Sequence, residues 1–333
     1  MTRRLTFPGM AMMLILIGVM VFGLFFSERR SGFAATSSVA ALLLGPDELP
    51  IKKCVLFQLT LGGVHFGRFG REKLQIEEKW LYLKENDNER KRALNIAFVI
   101  ATNSNQAEQF AKGFKRTPVP ITEINDKRYL QLVDQAWGND GRFVFVKNKI
   151  ACEITISQAD GENADELYSI VKLAADKIDA LLAGKSMPIP LMPMSCAELQ
   201  QDFWFDNDMA TMCWGKDALT LAIMKDGIPR AVPAGKIGRT NDYQVPLRYI
   251  AAILDPQAGV KIKENTATVT LLGKAISLTA GNTAVTCDGK AVKIAAPVVI
   301  KSGHVLVPLS MFGATVDKPI NWRKEGKRTI GSF

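Results

Sequence analysis

The chain has 333 residues, 47% of them hydrophobic and 23% charged, with a net charge of +9 and five cysteines. That length accommodates two ordinary domains with real cores, and the composition excludes both a disordered chain and a disulfide scaffold. The positive charge is spread thinly, with no basic block interleaved with aromatics, so nucleic acid is not expected as a partner.

Residues 1–30 set the compartment. Arg3 and Arg4 precede Phe7–Phe26, an uncharged run of 20 residues broken only by Pro8 and glycines. At about 1.5 Å per residue this matches a bilayer core of about 30 Å. A cleavable signal usually has an apolar stretch of only about 7–15 residues, so length favours a retained membrane anchor. The small residues Gly32 and Ala34 leave a cleavage site open. Either way the bulk of the chain is expected to be exported, held on the extracytoplasmic side of the cell membrane or secreted.

Residues 31–50 read as a linker, although Val39–Leu44 is more apolar than a free linker needs and suggests a short packed helix. Residues 51–185 read as one α+β domain. Strands are expected at Cys54–Thr60, Trp80–Leu83 and Ala93–Ala101. A helix follows over Ser104–Phe114, with Ala107, Phe110, Ala111 and Phe114 on one face. A hairpin turns at Lys147-Asn148-Lys149 between Arg142–Val146 and Ile150–Ile156. A long helix then runs from Asn163 or Asp165 to Leu182, with Gly184 as its stop. This order predicts an antiparallel sheet with helices on one face. The stretch Gly62–Arg71 mixes glycine, phenylalanine, Arg68 and Arg71; it suits a phosphate or aromatic ligand, or simply a glycine-permitted hairpin loop.

Residues 186–195 form a connector stiffened by Pro188, Pro190 and Pro193. From Cys196 the chain becomes β-rich. Leu219–Met224 and Ile228–Val232 are strands around Asp226-Gly227. Val245 closes a strand, Pro246 takes a first helical position, and Leu247, Ile250, Ala251 and Leu254 line one helical face. Alternating short strands follow, with Asp288-Gly289 as the strongest turn signal. A weaker copy of the proline corner comes at Val307-Pro308, 62 residues after Val245-Pro246, with its helix cut short by Gly313. A last hairpin runs from Ile320-Asn321-Trp322 to Thr329-Ile330. The fold class expected is α+β: two domains, each a mainly antiparallel sheet with few helices, behind an N-terminal transmembrane or signal helix. The second domain, 196–333, is expected to be a two-unit β-rich repeat.

Several of these residues occur in a familiar order. Val245-Pro246-Leu247-Arg248-Tyr249-Ile250-Ala251, Cys287-Asp288-Gly289-Lys290-Ala291-Val292, Ala296-Pro297-Val298-Val299, His304–Leu309 and Ile320-Asn321-Trp322 together resemble the copper amine oxidase N-terminal-like domain over about residues 219–330. The resemblance implies a stalk-like module used as an extracellular binding or spacer unit, with Trp322 in its core. It does not bring copper chemistry. A type 2 copper site uses three histidines, and the chain has two, His65 and His304.

No phosphate loop, nucleophile elbow, zinc-protease or EF-hand pattern is present. No catalytic residue, metal site or cofactor is therefore assigned. Asp206 and Asp208, with Asp202 and Trp204, place carboxylates beside aromatics, which suits calcium or a sugar ring, or a helix cap packed onto the module. Arg248 is read either as a ligand for an anion or as an anchor for a neighbouring carboxylate or carbonyl. Cys196 and Cys213 are close enough in sequence to close a short disulfide loop, and Cys54 with Cys152 is a second candidate pairing; Cys152 and Cys287, in strand-like runs, read equally as small buried apolar residues. The expected role is that of a membrane-tethered envelope protein, non-catalytic, with a cell-wall polymer or another envelope protein as partner. Its rivals are an envelope glycan hydrolase using the Asp202–Asp208 region and a ligand-sensing domain using the Gly62–Arg71 loop.

Overall fold

A computed structural model describes residues 39–51, 54–64, 73–83, 91–114, 121–139, 141–156, 164–199 and 206–333. The apolar run Phe7–Phe26 lies outside them. No helix among the described residues is long and apolar enough to cross a membrane.

The first half is built on β1 (Val55–Val64), β2 (Lys73–Leu83), β3 (Lys91–Ile100), α1 (Ser104–Phe114), β4 (Thr122–Glu123), α2 (Lys127–Leu130), β5 (Gln135–Asn139), β6 (Arg142–Lys147), β7 (Ile150–Ile156) and α3 (Ala164–Leu182). Its strands form one seven-stranded sheet in the order β1-β2-β3-β7-β6-β5-β4, antiparallel throughout. The β6–β7 turn is the expected one, with Asn148 in the left-handed region at φ 53°. Short polar side chains tolerate that conformation best among non-glycine residues.

The helices do not share one face. Leu94, Ile96, Phe98, Phe143, Phe145, Cys152 and Ile154 pack under Leu167, Ile170, Val171, Ala174 and Ile178 of α3. Val99, Val144, Val146 and Ala151 pack on the opposite side against Ala107, Phe110 and Ala111 of α1. The cause is legible in β6, whose first five residues are all buried. A strand apolar on both faces needs cover on both.

Residues 39–49 are part of this core rather than a linker. A short 3-10 turn at Ala40–Leu42 leads into Leu43 and Leu44, and Leu42, Leu43 and Leu44 have no exposed surface. Burial of that kind contributes about 1.5–3 kcal/mol per leucine. The connector is packed as well. Pro190 lies so close to Gly45 that a Cβ at residue 45 would collide with it, Ile189 and Met192 join the first core, and Met194 joins the second.

The second half comprises β8 (Met192–Pro193), α4 (Cys196–Leu199), α5 (Asp206–Trp214), β9 (Ala218–Lys225), β10 (Ile228–Lys236), β11 (Tyr243–Pro246), α6 (Leu247–Leu254), β12 (Val260–Lys263), β13 (Thr266–Leu271), β14 (Lys274–Thr279), β15 (Ala284–Cys287), β16 (Lys290–Lys293), β17 (Val299–Lys301), β18 (His304–Pro308), α7 (Met311–Val316), β19 (Asn321–Glu325) and β20 (Arg328–Ser332). Eight strands form a mixed sheet, β17-β18-β11-β10-β9-β20-β19 with β8 beside β10. It is antiparallel except for β8–β10 and β9–β20. The other five, β12 to β16, form an antiparallel meander inserted between α6 and β17.

The two proline corners meet. Strands β11 and β18 pair antiparallel with Val245 directly opposite Val307. Pro246 caps α6 from outside, one residue earlier than expected, and Leu247, Tyr249, Ile250, Ala251 and Ala252 are buried. In the second corner, Gly313 does not end the helix. Helix α7 continues to Val316 and stops where Asp317 turns left-handed at φ 56°.

The long sheet is strongly curled. Three strands separate β11 from β19, which in a flat sheet would put them about 19 Å apart. Instead the rings of Tyr243 and Trp322 meet edge to face with centroids 5.7 Å apart. Trp322 is nonetheless 37% exposed, on a strand whose five residues are all exposed. The core role expected for it is corrected: an edge strand has no layer beyond it to bury an indole.

Candidate functional site

The predicted site residues are not brought together by the described part of the chain. Arg68, Arg71 and Trp204 lie outside the described residues. Asp206 and Asp208 fall in the first turn of α5, described through its backbone. Arg248 is half-buried on the first turn of α6, and its guanidinium lies near His304. Burial lowers the His304 pKa and the Arg248 charge lowers it further, so this imidazole is neutral at pH 7.

The counterpart of that contact lies across the β11–β18 pair. Asp242 Oδ1 accepts from the backbone amides of Tyr243 at 2.8 Å and Ser310 at 3.2 Å, and its Oδ2 accepts from the Ser310 hydroxyl. Asp242 and His304 are 62 residues apart, and so are Arg248 and Ser310. The Asp242 bonds brace the second strand-to-helix corner against the start of the first.

No disulfide joins Cys196 to Cys213; all five cysteines are thiols. Cys196 packs with Val55 and Leu81 on the first sheet, whereas Cys213 belongs to the second core. Closeness in sequence did not make them neighbours, because α4 turns Cys196 towards β1 while Cys213 of α5 faces the second core. Cys54 and Cys152 are not bonded either. Burial pushes the Cys54 thiol up to about 11, which leaves it unreactive at neutral pH.

Two buried charged clusters serve the fold. In the first, Ser195 and Glu198 form a capping box at α4: Glu198 N donates to Ser195 Oγ, and Ser195 N donates to Glu198 Oε2. The same carboxylate receives Lys225 Nζ at 2.8 Å and Arg230 Nη2 at 3.1 Å. Burial pushes the Glu198 pKa up, but Arg230 and Lys225 outweigh it and the net direction is down. Arg230, only 3% exposed, also donates to the Pro193 carbonyl. This cluster fastens the connector to the second sheet.

The second cluster lies under residues 39–49. Glu78 is fully buried; its Oε1 accepts from Leu44 N at 2.8 Å and its Oε2 from Trp80 Nε1 at 2.9 Å. Lys177 Nζ donates to the Leu43 carbonyl and to Glu48 Oε2. Burial raises the Glu78 pKa to about 8, against the pull of its two donors and of Lys177. Glu78 is therefore largely protonated at neutral pH.

Among the described residues no group of three His, Cys, Asp or Glu is placed to hold a metal. With two histidines in the whole chain, the donor set does not fit a three-histidine copper centre. A cleft of about 340 Å³ does exist on the outer face of the five-stranded meander, lined by Gly259, Lys261, Thr268, Thr270, Ser277 and Thr286 among others. Facing residues of an antiparallel ladder share a face. The register sets Lys261, Thr268, Ser277, Thr286 and Ala291 in one row across the outer side. The inner side carries Ala267, Val269, Leu271, Ile276, Leu278, Val285 and Cys287 into the second core. Residue-by-residue reading found the alternation in β13 but not this row, whose signal is the run Thr266-Ala267-Thr268-Val269-Thr270-Leu271.

Residues 231–330 match the family model of the copper amine oxidase N-terminal domain. The match is to a non-catalytic domain and begins within β10, so β9 and everything before it stand outside it. No curated protein and no solved structure matches the chain.

Proposed function

We propose that the protein is an exported, membrane-tethered component of the cell envelope, in which the C-terminal module has a non-catalytic binding or structural role. The observation that carries this reading is the position of the apolar run. Twelve residues separate the end of Phe7–Phe26 from Val39, the first buried residue described. Twelve residues span at most about 43 Å even fully extended, so the folded part would be held close to the bilayer. The two proline corners, with equivalent residues facing each other, support reading the C-terminal half as two related units. Non-catalytic membership of the matched domain supports a presenting role rather than a chemical one.

Fractionation of the producing cell tests the reading. Recovery in the membrane fraction with an intact N-terminus, digestible by protease added from outside, is the expected result. Recovery from the medium with a mature N-terminus near Ala35 keeps the export and replaces the anchor by a cleaved signal. Recovery in the cytosol rejects both.

A further inference from the structure

We infer that the outer face of the five-stranded meander is a binding surface for an anionic polyol-phosphate polymer; the inference deepens the envelope reading and rests on it. Three lysines frame the face. Lys261 and Lys263 stand on β12 at one edge and Lys293 on β16 at the other, all exposed. Among the described residues no carboxylate pairs with any of them, and their charge is unspent. Between the lysines runs the hydroxyl row Thr268, Ser277 and Thr286, inside the cleft of about 340 Å³. No outward position of the five strands is acidic.

The chemistry selects the occupant. Lysine ammonium groups act as point charges for phosphate, and exposed hydroxyls both donate and accept. A row crossing five strands is about 19 Å long, enough for several repeats of a chain that alternates phosphates with hydroxyl-bearing carbons. The outward positions carry no aromatic ring, so the face lacks the stacking platform that a neutral sugar ring uses. A cleft also fits a chain better than a flat bilayer surface.

The test uses the full chain in a neutral detergent, titrated with poly(glycerol phosphate), polygalacturonate and dextran as separate probes. Saturable binding of poly(glycerol phosphate), at least tenfold tighter than of either other polymer, is expected, weakening as salt rises. The Lys261→Gln/Lys293→Gln double variant should lose at least fivefold. The Thr268→Val/Ser277→Val/Thr286→Val triple variant, unchanged in charge, should lose at least threefold. Circular dichroism and melting of both variants are expected to match the parent, because all five positions face outward. A triple variant that binds like the parent shows diffuse attraction alone and overturns the inference, as does equal binding of polygalacturonate or dextran. Absence of binding by a chain still found in the membrane fraction overturns the inference and leaves the envelope reading standing. A cytosolic chain takes both down.

Discussion

Replacing Glu78 by glutamine gives the most informative perturbation, because the native residue couples the 39–49 segment to pH. Each tenfold change in proton affinity is worth about 1.4 kcal/mol. The carboxyl rises from an ordinary 4.5 to about 8 on folding, so the folded state holds the proton more tightly than the unfolded one. Stability from this group is fully present below pH 4.5 and is lost as pH rises towards 8, by on the order of 5 kcal/mol in all. Lys177, Glu48, Cys54 and Cys152 surround it, and Lys177 opposes the rise while Glu48 adds to it. Glu78→Gln removes the titration and keeps the size. At pH 5, where both side chains are uncharged, the variant should be less stable by roughly 1–3 kcal/mol. An amide nitrogen cannot accept from either Leu44 or Trp80. At pH 9 the order should reverse, with the two curves crossing between about pH 6 and 7.5. Urea unfolding of parent and variant at unit steps from pH 5 to 9, followed by circular dichroism, measures the difference directly. Parallel profiles across that range would refute the reasoning, since they would mean that Glu78 binds its proton equally in both states.

Three further outcomes are expected. A chain lacking residues 1–38 should fold, whereas one lacking 1–50 should be insoluble or molten, because Leu42, Leu43 and Leu44 alone account for roughly 5–9 kcal/mol of burial; equal solubility of the two would show the segment to be dispensable. Gly235→Ala should cost about 1–3 kcal/mol. A Cβ there falls inside the Trp214 indole, whose Nε1 donates to Gln244 Oε1 at 3.2 Å, and a fluorescence spectrum unchanged from the parent would contradict the displacement. Alkylation in denaturant without reductant should label all five cysteines by mass, and each disulfide overlooked would remove two labels.

The hairpins were legible because their turns carry their own chemistry. Asp226–Gly227 and Asp288–Gly289 both have two consecutive positive φ values, the demand that Asp-Gly meets most cheaply. Helix α3 was legible because its apolar period persists for nineteen residues. What escaped reading depends on partners distant in sequence. The 39–49 segment looked like a linker because its cover, α3, is more than a hundred residues away. The cysteine pairing failed for the converse reason, since residues near in sequence entered different cores. The second helical layer could not be read from α1 alone, as its amphipathic face says nothing about which side of the sheet it covers. The lysine and hydroxyl row was split among five strands, and only the register assembles it.

The burial of residues 39–49 also decides how the molecule would respond to force. In a protein hung on a loose linker, tension at the N-terminus first straightens slack and leaves the fold untouched. Here the chain emerges towards its N-terminus directly from beneath α3, with Leu43 and Leu44 tied to Lys177 and Glu78. A pull applied at Val39 falls on the first core, and the connector stacked on Gly45 passes it towards the second. From Val39 onward the chain has no loose stretch to extend before the load meets packed side chains.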